Sequence, residues 1–169
     1  IAPDEIIFTG CGSTYYLSLV AAAVARQHGL SARAFPASEI WLISPTVAAS
    51  YKQTLLVTVS RSGETTETLR AVETFRRGGG RAVIAATCYP KSALAGAADL
   101  TLAAPVAQEK SMAQTRSFAS MVLLCQGIIN AIRPTAGYDD RMAALPQLGR
   151  ELLAGQAKVA EALGTDASI

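Results

Sequence analysis

The sequence predicts an α/β fold, a three-layer α-β-α sandwich with a five-stranded parallel sheet in the flavodoxin-like order 2-1-3-4-5. Short apolar segments rich in β-branched residues alternate with segments whose apolar residues fall at helical spacing. Such alternation indicates a parallel sheet with helices on both faces, and right-handed crossovers leave few topologies. In the predicted order the first and third strands flank the switch point, where ligands bind in such sheets.

The first half of the chain supplies three of the predicted strands and two helices. Gly29 directly after His28 is typical of the end of a helix, and Pro45 ends the next helical segment. The predicted strands are Glu5–Thr9, Ser31–Pro36 and Thr54–Ser60, and the helices between them are Tyr15–His28 and Ala37–Ile43.

The second half continues the alternation. Leu69, Val72 and Phe75 fall at helical spacing, and the glycines at 78–80 end that helix. The remaining predicted elements are the strands Arg81–Thr87 and Asp99–Ala104 and the helices Lys91–Ala97, Ser111–Ile132 and Asp139–Leu163, the last with a possible kink at Pro146.

Length and composition limit the classes of protein to consider. At 169 residues, half of them hydrophobic and 17% charged, the chain can bury a sizeable core and is too apolar for disorder. A net charge of +2 without a basic cluster argues against a nucleic-acid partner, and no apolar run is long enough to span a membrane. Three scattered cysteines make neither a disulfide framework nor a zinc site, so we expect a cytoplasmic protein without a metal.

The most informative stretch is the hydroxyl-rich turn after the third strand, Ser60-Arg61-Ser62-Gly63-Glu64-Thr65. It lies between a strand end and a helix start, where free N–H groups and the helix dipole favour an anion, phosphate above all. The hydroxyls of Ser60, Ser62 and Thr65 can add donors, and Gly63 permits close approach of the backbone. An ordinary turn in which Ser62 caps the helix fits the local pattern equally well.

A second glycine- and hydroxyl-rich turn, Gly10-Cys11-Gly12-Ser13-Thr14, follows the first strand. In the predicted order both turns lie at the carboxyl ends of neighbouring strands, so we expect them to line one crevice. The turn is not a dinucleotide fingerprint, because Tyr15 occupies the place of the third glycine. The second strand also ends in Phe35-Pro36 rather than an acidic residue, so NAD is disfavoured and we expect no cofactor.

These motifs resemble the SIS (sugar isomerase) family of phosphosugar-binding domains. The resemblance rests on the two turns, on Ala37-Ser38-Glu39, and on Gln108-Glu109-Lys110-Ser111 leading to Thr115 and Phe118. The chain looks most like the first SIS half of the glucosamine-6-phosphate synthases, and its 108–111 motif looks closer to AgaS-like ketose/aldose-phosphate isomerases. Arg61 stands where the synthases usually have glutamine, which adds a positive charge that can pair with phosphate.

The resemblance implies a ligand and the residues that hold it. The expected ligand is a hexose phosphate or amino-hexose phosphate. Its phosphate would be held by the side chains of Ser60, Ser62 and Thr65 and by backbone N–H groups from Arg61 to Glu64, Gly63 among them. From the facing turn, Thr14 would contact the sugar or its phosphate, with Gly12 and Ser13 beside it. The expected domains are a phosphosugar-binding domain at 1–135 and a C-terminal helix at 136–169.

Isomerising an aldose and a ketose phosphate requires a base, and ring opening requires a second group, typically histidine or a carboxylate. Glu109, just after the fifth strand, is the candidate carboxylate, although it could also anchor a loop. His28 lies at a helix end, where interaction with the helix terminus is the simpler interpretation.

In the family the catalytic carboxylate and histidine come from a second SIS half or a neighbouring subunit. No second Ser-x-Ser-Gly-Glu-Thr turn occurs here. We therefore expect one half of a phosphosugar isomerase, deaminase or aminotransferase, its last helix leading toward the other half and its partner a second SIS domain or another copy. The alternative is a phosphosugar-sensing SIS module of a transcriptional regulator.

Overall fold

The computed structural model, which describes residues 3–165, contains one parallel sheet. Its order is β2-β1-β3-β4-β5, so the predicted α/β fold and strand order are confirmed. The strands are β1 Glu5–Gly10, β2 Ala32–Pro36, β3 Thr54–Ser60, β4 Ala82–Thr87 and β5 Leu100–Ala103. All residues of β3 are buried, as expected for the central strand of a sheet that is covered on both faces.

Helices follow the strands along the chain. They are α1 Ser13–Gln27, α2 Ala37–Leu42, α3 Ser44–Val47, α4 Thr66–Arg77, α5 Ala93–Ala97, α6 Arg116–Ile132 and α7 Tyr138–Thr165. The segment predicted as one helix at 37–43 is α2, and a separate four-residue α3 with Pro45 in its first turn follows it. Proline fits there because the first turn of a helix has unpaired N–H groups.

Two apolar cores lie on opposite faces of the sheet, because side chains alternate along each strand. Ile6 and Phe8 of β1 belong to the core that α1 and α6 cover, whereas Ile7 belongs to the core with α2 and α4. In the second core the rings of Tyr51 and Phe75 lie 5.0 Å apart. The layers thus leave the strand ends, and the turns that follow them, at the two edges of the sheet.

The start of α6 differs from the prediction. The helix was expected at Ser111 and begins at Arg116. The carboxylate of Glu109 accepts hydrogen bonds from the N–H groups of Thr115 and Ser117, and so holds residues 109–115 as a loop ahead of the first helical turn. Apolar periodicity alone does not reveal this start, because it carries no information on where the carboxylate of Glu109 finds its donors.

The chain divides into two compact units, Ile1–Arg133 and Pro134–Ile169. The second unit consists mainly of α7, which runs through Pro146 and exposes apolar side chains such as Leu148, Leu152 and Leu153. The role predicted for this helix, leading toward a second SIS half, stays a prediction. Within residues 3–165, no helix has both the length and the apolar character needed to cross a membrane.

Candidate functional site

The candidate site lies at the carboxyl edge of the sheet, where the turns after β1 and β3 follow neighbouring strands. We call residues 11–14 the β1 turn and residues 60–65 the β3 turn. Partial burial raises the pKa of the Cys11 thiol, and the negative charge of Glu67, in the first turn of α4, raises it further. Glu67 is the second residue of α4, the helix that the β3 turn introduces.

The β1 turn is closed by Thr14. Its hydroxyl donates to the carbonyl of Cys11 and accepts from the Cys11 N–H, both at 2.9 Å, and the side chain is buried. Gly12 and Ser13, in contrast, are exposed. Of the three residues predicted in this turn, Gly12 and Ser13 are therefore accessible to a ligand, whereas the Thr14 hydroxyl shapes the backbone of the turn.

The β3 turn is organised by Ser60. Its buried Oγ accepts the N–H of Gly63 at 3.1 Å and shares a hydrogen bond of 3.2 Å with Oγ1 of Thr65. Ser62 Oγ accepts the N–H of Glu64 at 3.2 Å. The turn thus brings the predicted residues Ser60, Ser62, Gly63 and Thr65 together within six positions of the chain.

No side chain of the β3 turn caps α4. The helix begins at Thr66, and within the described residues Thr65, the residue that flanks it, makes no side-chain cap bond. Ser62 bonds within the turn, so the sequence-based alternative of Ser62 as the helix cap is not what the structure has. The free N–H groups and the positive end of the α4 dipole therefore remain available to an anion.

A third loop, residues 88–92 after β4, packs against the β3 turn. The carbonyl of Arg61 accepts from the Cys88 N–H and from the Thr87 hydroxyl, both at 3.1 Å, and the carbonyl of Gly63 accepts from Leu94 at 2.9 Å. The carboxylate of Glu64 accepts from the N–H of Ala93 at 2.8 Å. The β3 turn is therefore fixed by hydrogen bonds from the end of β4, the β4 loop and the start of α5.

The β4 loop is part of the site, although no motif in the sequence predicted it. It contributes most of the wall of an open cleft of about 430 Å³ beside the β3 turn. The cleft is lined by Ser62, Glu64, Tyr89, Pro90, Lys91, Ser92 and Gln108. No local motif marks residues 88–92, but the adjacency of β3 and β4 in the predicted order would have indicated them.

Arg61 reaches away from the turn toward the segment after β5. Its Nη1 donates to the carbonyl of Ser111 at 2.6 Å, and Nη2 of Arg116 donates to the carbonyl of Gln108 at 2.5 Å. Arg61, which was expected to pair with phosphate, and Arg116 therefore both hold the backbone of this segment. The guanidinium of Arg61 remains partly exposed beside the β3 turn.

Glu109 lies in the loop ahead of α6, and its carboxylate accepts four hydrogen bonds from residues at the start of that helix. It accepts from the hydroxyl and N–H of Ser117 and from the hydroxyl and N–H of Thr115. The Ser117 hydroxyl, followed by the Thr115 and Ser117 N–H groups, lowers the pKa of Glu109 to about 2. A carboxylate with so low a pKa is a weak base near neutral pH, so this geometry favours the anchoring role over the catalytic role.

The anchoring role of Glu109 predicts a pH-dependent stability. Because the folded-state pKa of about 2 lies below the ordinary value of 4.5, the stabilisation is complete above pH 4.5 and is lost as the pH falls toward 2. Glu109→Gln should therefore lower the melting temperature at pH 7, and the difference from wild type should shrink steadily below pH 4.5. Thermal unfolding of both proteins from pH 7 to pH 3 measures it, and a difference that does not change with pH would contradict the anchor.

The remaining candidates lie away from this edge or form no cluster. His28 follows the last residue of α1, at the opposite edge of the sheet, where its N–H bonds the helical carbonyls of Val24 and Ala25. Among residues 3–165, no group of three or more metal-ligating side chains comes together.

Known proteins share both sequence and fold with this chain. A family model described as SIS domain matches residues 2–131. Glutamine–fructose-6-phosphate aminotransferase (isomerizing) of Aeropyrum pernix is 34% identical over 134 residues, which cover 79% of this chain and 21% of that protein. The chain thus spans about a fifth of the length of this curated relative.

Solved structures show the same fold. Glucosamine-6-phosphate deaminase from Thermotoga maritima superimposes with a TM-score of 0.80 at 29% identity, covering 94% of this chain and 48% of that one. The NanR protein of Vibrio vulnificus, solved in complex with ManNAc-6P, gives a TM-score of 0.64 at 21% identity, over 91% of this chain and 56% of that one. At that identity the second likeness concerns the fold alone.

Proposed function

The chain belongs to the SIS domain family, and from that premise we propose that its β3 turn binds the phosphate of a hexose phosphate or amino-hexose phosphate. The observation that carries the proposal is the uncapped start of α4 next to the hydroxyls of Ser60, Ser62 and Thr65. Backbone N–H groups, hydroxyls and a helix dipole converge there, and all three favour a phosphate dianion. The cleft beside Ser62 gives room for the sugar, with Tyr89 and Lys91 along its wall.

We further propose that the domain serves a sugar-phosphate isomerase, deaminase or aminotransferase, the kinds of enzyme that its relatives are named for. Arg61 adds charge beside the turn, and the exposed Gly12 and Ser13 face the ligand from the β1 turn. The base that moves the substrate proton comes from another domain or subunit, because Glu109 is held by four donors and His28 lies at the other edge of the sheet. No cofactor takes part in this scheme.

Calorimetric titration of fructose 6-phosphate into the chain tests the proposed ligand. We expect saturable binding that inorganic phosphate competes with and that fructose without its phosphate does not reproduce. The protein control is Arg77→Gln, which should bind fructose 6-phosphate as wild type does. Arg77 lies at the end of α4 and contacts Thr74, so this variant removes one positive charge outside the β3 turn. An isomerase assay on the same preparation should show no turnover. Equal binding of fructose and fructose 6-phosphate would refute a phosphate site.

We also propose that the partner of this domain is a second SIS domain or another copy, and that the protein is cytoplasmic. Exposed apolar side chains on α1 and α6 support such a partner, because an interface would bury them. Tyr16 is 66% exposed, Val20 52% and Leu123 44%. Cys11, Cys88 and Cys125 are free thiols, which fits a reducing compartment. Sedimentation of the chain with Val20→Lys as the comparison is the measurement; we expect wild type to self-associate and the variant to do so less. A monomeric wild type would refute self-association.

A further inference from the structure

The segment after β5, residues 108–115, is tied to the carboxyl edge of the sheet by side-chain hydrogen bonds to backbone carbonyls. Gln108 Nε2 donates to the carbonyl of Cys88 at 2.9 Å, and Arg116 donates to the carbonyl of Gln108. Farther along, Arg61 donates to the carbonyl of Ser111. Between the anchors at Gln108 and Thr115, residues 110–113 are exposed, Met112 by 93%. We call residues 108–115 the β5 segment. Among the described contacts, the bond from Arg61 is the one that holds the middle of this segment.

Arg61 is well placed to hold two partners at once. Its backbone is fixed, because its carbonyl accepts from both Cys88 and Thr87. Its side chain is partly exposed, and Nη1 alone is described as bonded, to Ser111. A guanidinium carries five N–H donors in a planar fork, so Nε and Nη2 can bind phosphate oxygens while Nη1 keeps the carbonyl.

We propose that Arg61 is a positioning residue that couples phosphate in the β3 turn to the order of the β5 segment. The inference rests on the proposed function and adds a consequence of ligand binding to it. When a phosphate ester occupies the turn, the guanidinium bridges its oxygens and the Ser111 carbonyl. The β5 segment, whose residue Gln108 already lines the cleft, then becomes a fixed wall of the site.

Hydrogen exchange of the whole chain measures this coupling. In wild type, saturating fructose 6-phosphate should slow exchange of the amides at 110–114 roughly tenfold, because one more charge-assisted contact holds the segment. Saturating inorganic phosphate should slow them similarly, because the proposed bridge involves only the oxygens of the phosphate group. Arg61→Gln should exchange faster without ligand and should lose the slowing at saturation. Arg61→Lys should lose it too, because a single ammonium cannot span both partners as the fork does.

Two variants separate coupling from general loosening. Arg116→Gln removes a different bond of the same segment, the one to Gln108, so ligand-induced slowing at 110–114 should persist. Arg77→Gln removes equal charge from α4 outside the site and should behave as wild type. Equal slowing in saturated Arg61→Gln and wild type would overturn the coupling, as would wild-type binding without slowing. If calorimetry detects no binding of either ligand by wild type, the proposed function itself fails.

Discussion

Replacing Gly63 with alanine is expected to lower the free energy of unfolding by about 2–5 kcal/mol, combining left-handed backbone strain with overpacking. Gly63 has a φ of +67°, where a residue with a Cβ is strained. A Cβ at this position would also lie 2.0 Å from Oγ and 2.5 Å from Cβ of Ser92. Ser92 cannot easily move, because it is the N-cap residue of α5 and its Oγ accepts a hydrogen bond from the N–H of Ala95.

Gly29→Ala is the matched control for the effect of Gly63→Ala. Gly29 also has a positive φ, +74°, but a Cβ there would meet nothing within 4 Å. Its substitution should cost about 1–2 kcal/mol, the backbone strain alone. Urea unfolding of the two variants and wild type, with a common slope, gives the comparison. If both alanines cost the same, close packing of the β3 turn on the β4 loop is not what requires glycine at position 63.

Replacing Ser62 with alanine is expected to weaken the binding of fructose 6-phosphate by about 1.5–3 kcal/mol, roughly one to two decades in affinity, because one hydroxyl donor to a charged acceptor is lost. The stability of the chain should change by less than about 0.5 kcal/mol, as for a surface substitution. The reason is that Ser62 bonds only the nearby N–H of Glu64 and caps no helix. A loss of about 1 kcal/mol in stability would instead indicate a helix cap.

Ser50→Ala offers a closely matched control for Ser62→Ala. Ser50 Oγ accepts the N–H of Lys52, two residues on, just as Ser62 accepts that of Glu64, but Ser50 lies before β3 at the other edge of the sheet. Calorimetric titration should give wild-type affinity for Ser50→Ala and weakened affinity for Ser62→Ala. Thr65→Val, which keeps the side-chain shape, should weaken binding to a similar degree. Unchanged affinity in both Ser62→Ala and Thr65→Val would remove the β3 turn from the site.

The sheet was predictable because its determinants are local. The apolar run of β3 and the helical spacing of Leu69, Val72 and Phe75 appear directly in the sequence, and connection rules supply the order. The start of α6 was not, because it depends on where the carboxylate of Glu109 finds its donors. That choice is made by hydrogen bonds of the Glu109 side chain with Thr115 and Ser117, which the spacing of apolar residues does not represent.

The candidate site shows the same division. The β3 turn was identified from its hydroxyls and glycine, but the particular task of each residue was not. Gly63 was expected to let backbone approach a ligand, and the structure shows it buried against Ser92. Thr14 was expected at the ligand, and its hydroxyl bonds Cys11. The types of residue in the sequence predicted where polar groups would cluster. The hydrogen-bond partner of each group depends on the folded chain.

The packing of the β3 turn on the β4 loop has a consequence for how the site comes into being during folding. Bonds from Cys88 and Leu94 to the carbonyls of Arg61 and Gly63 close loops of more than twenty residues, so the bonds within the β3 turn are not the whole of what fixes its shape. We expect it to acquire its final shape only after β4 has paired with β3, late relative to local helix formation. We therefore expect that a synthetic peptide of residues 54–77 would not adopt the shape of the β3 turn. The same holds for the six-residue motif grafted onto another strand-to-helix junction, because both lack the contacts with the β4 loop. A transfer of the site to another protein would therefore need β3, α4, β4 and the β4 loop together, and not the six-residue motif alone.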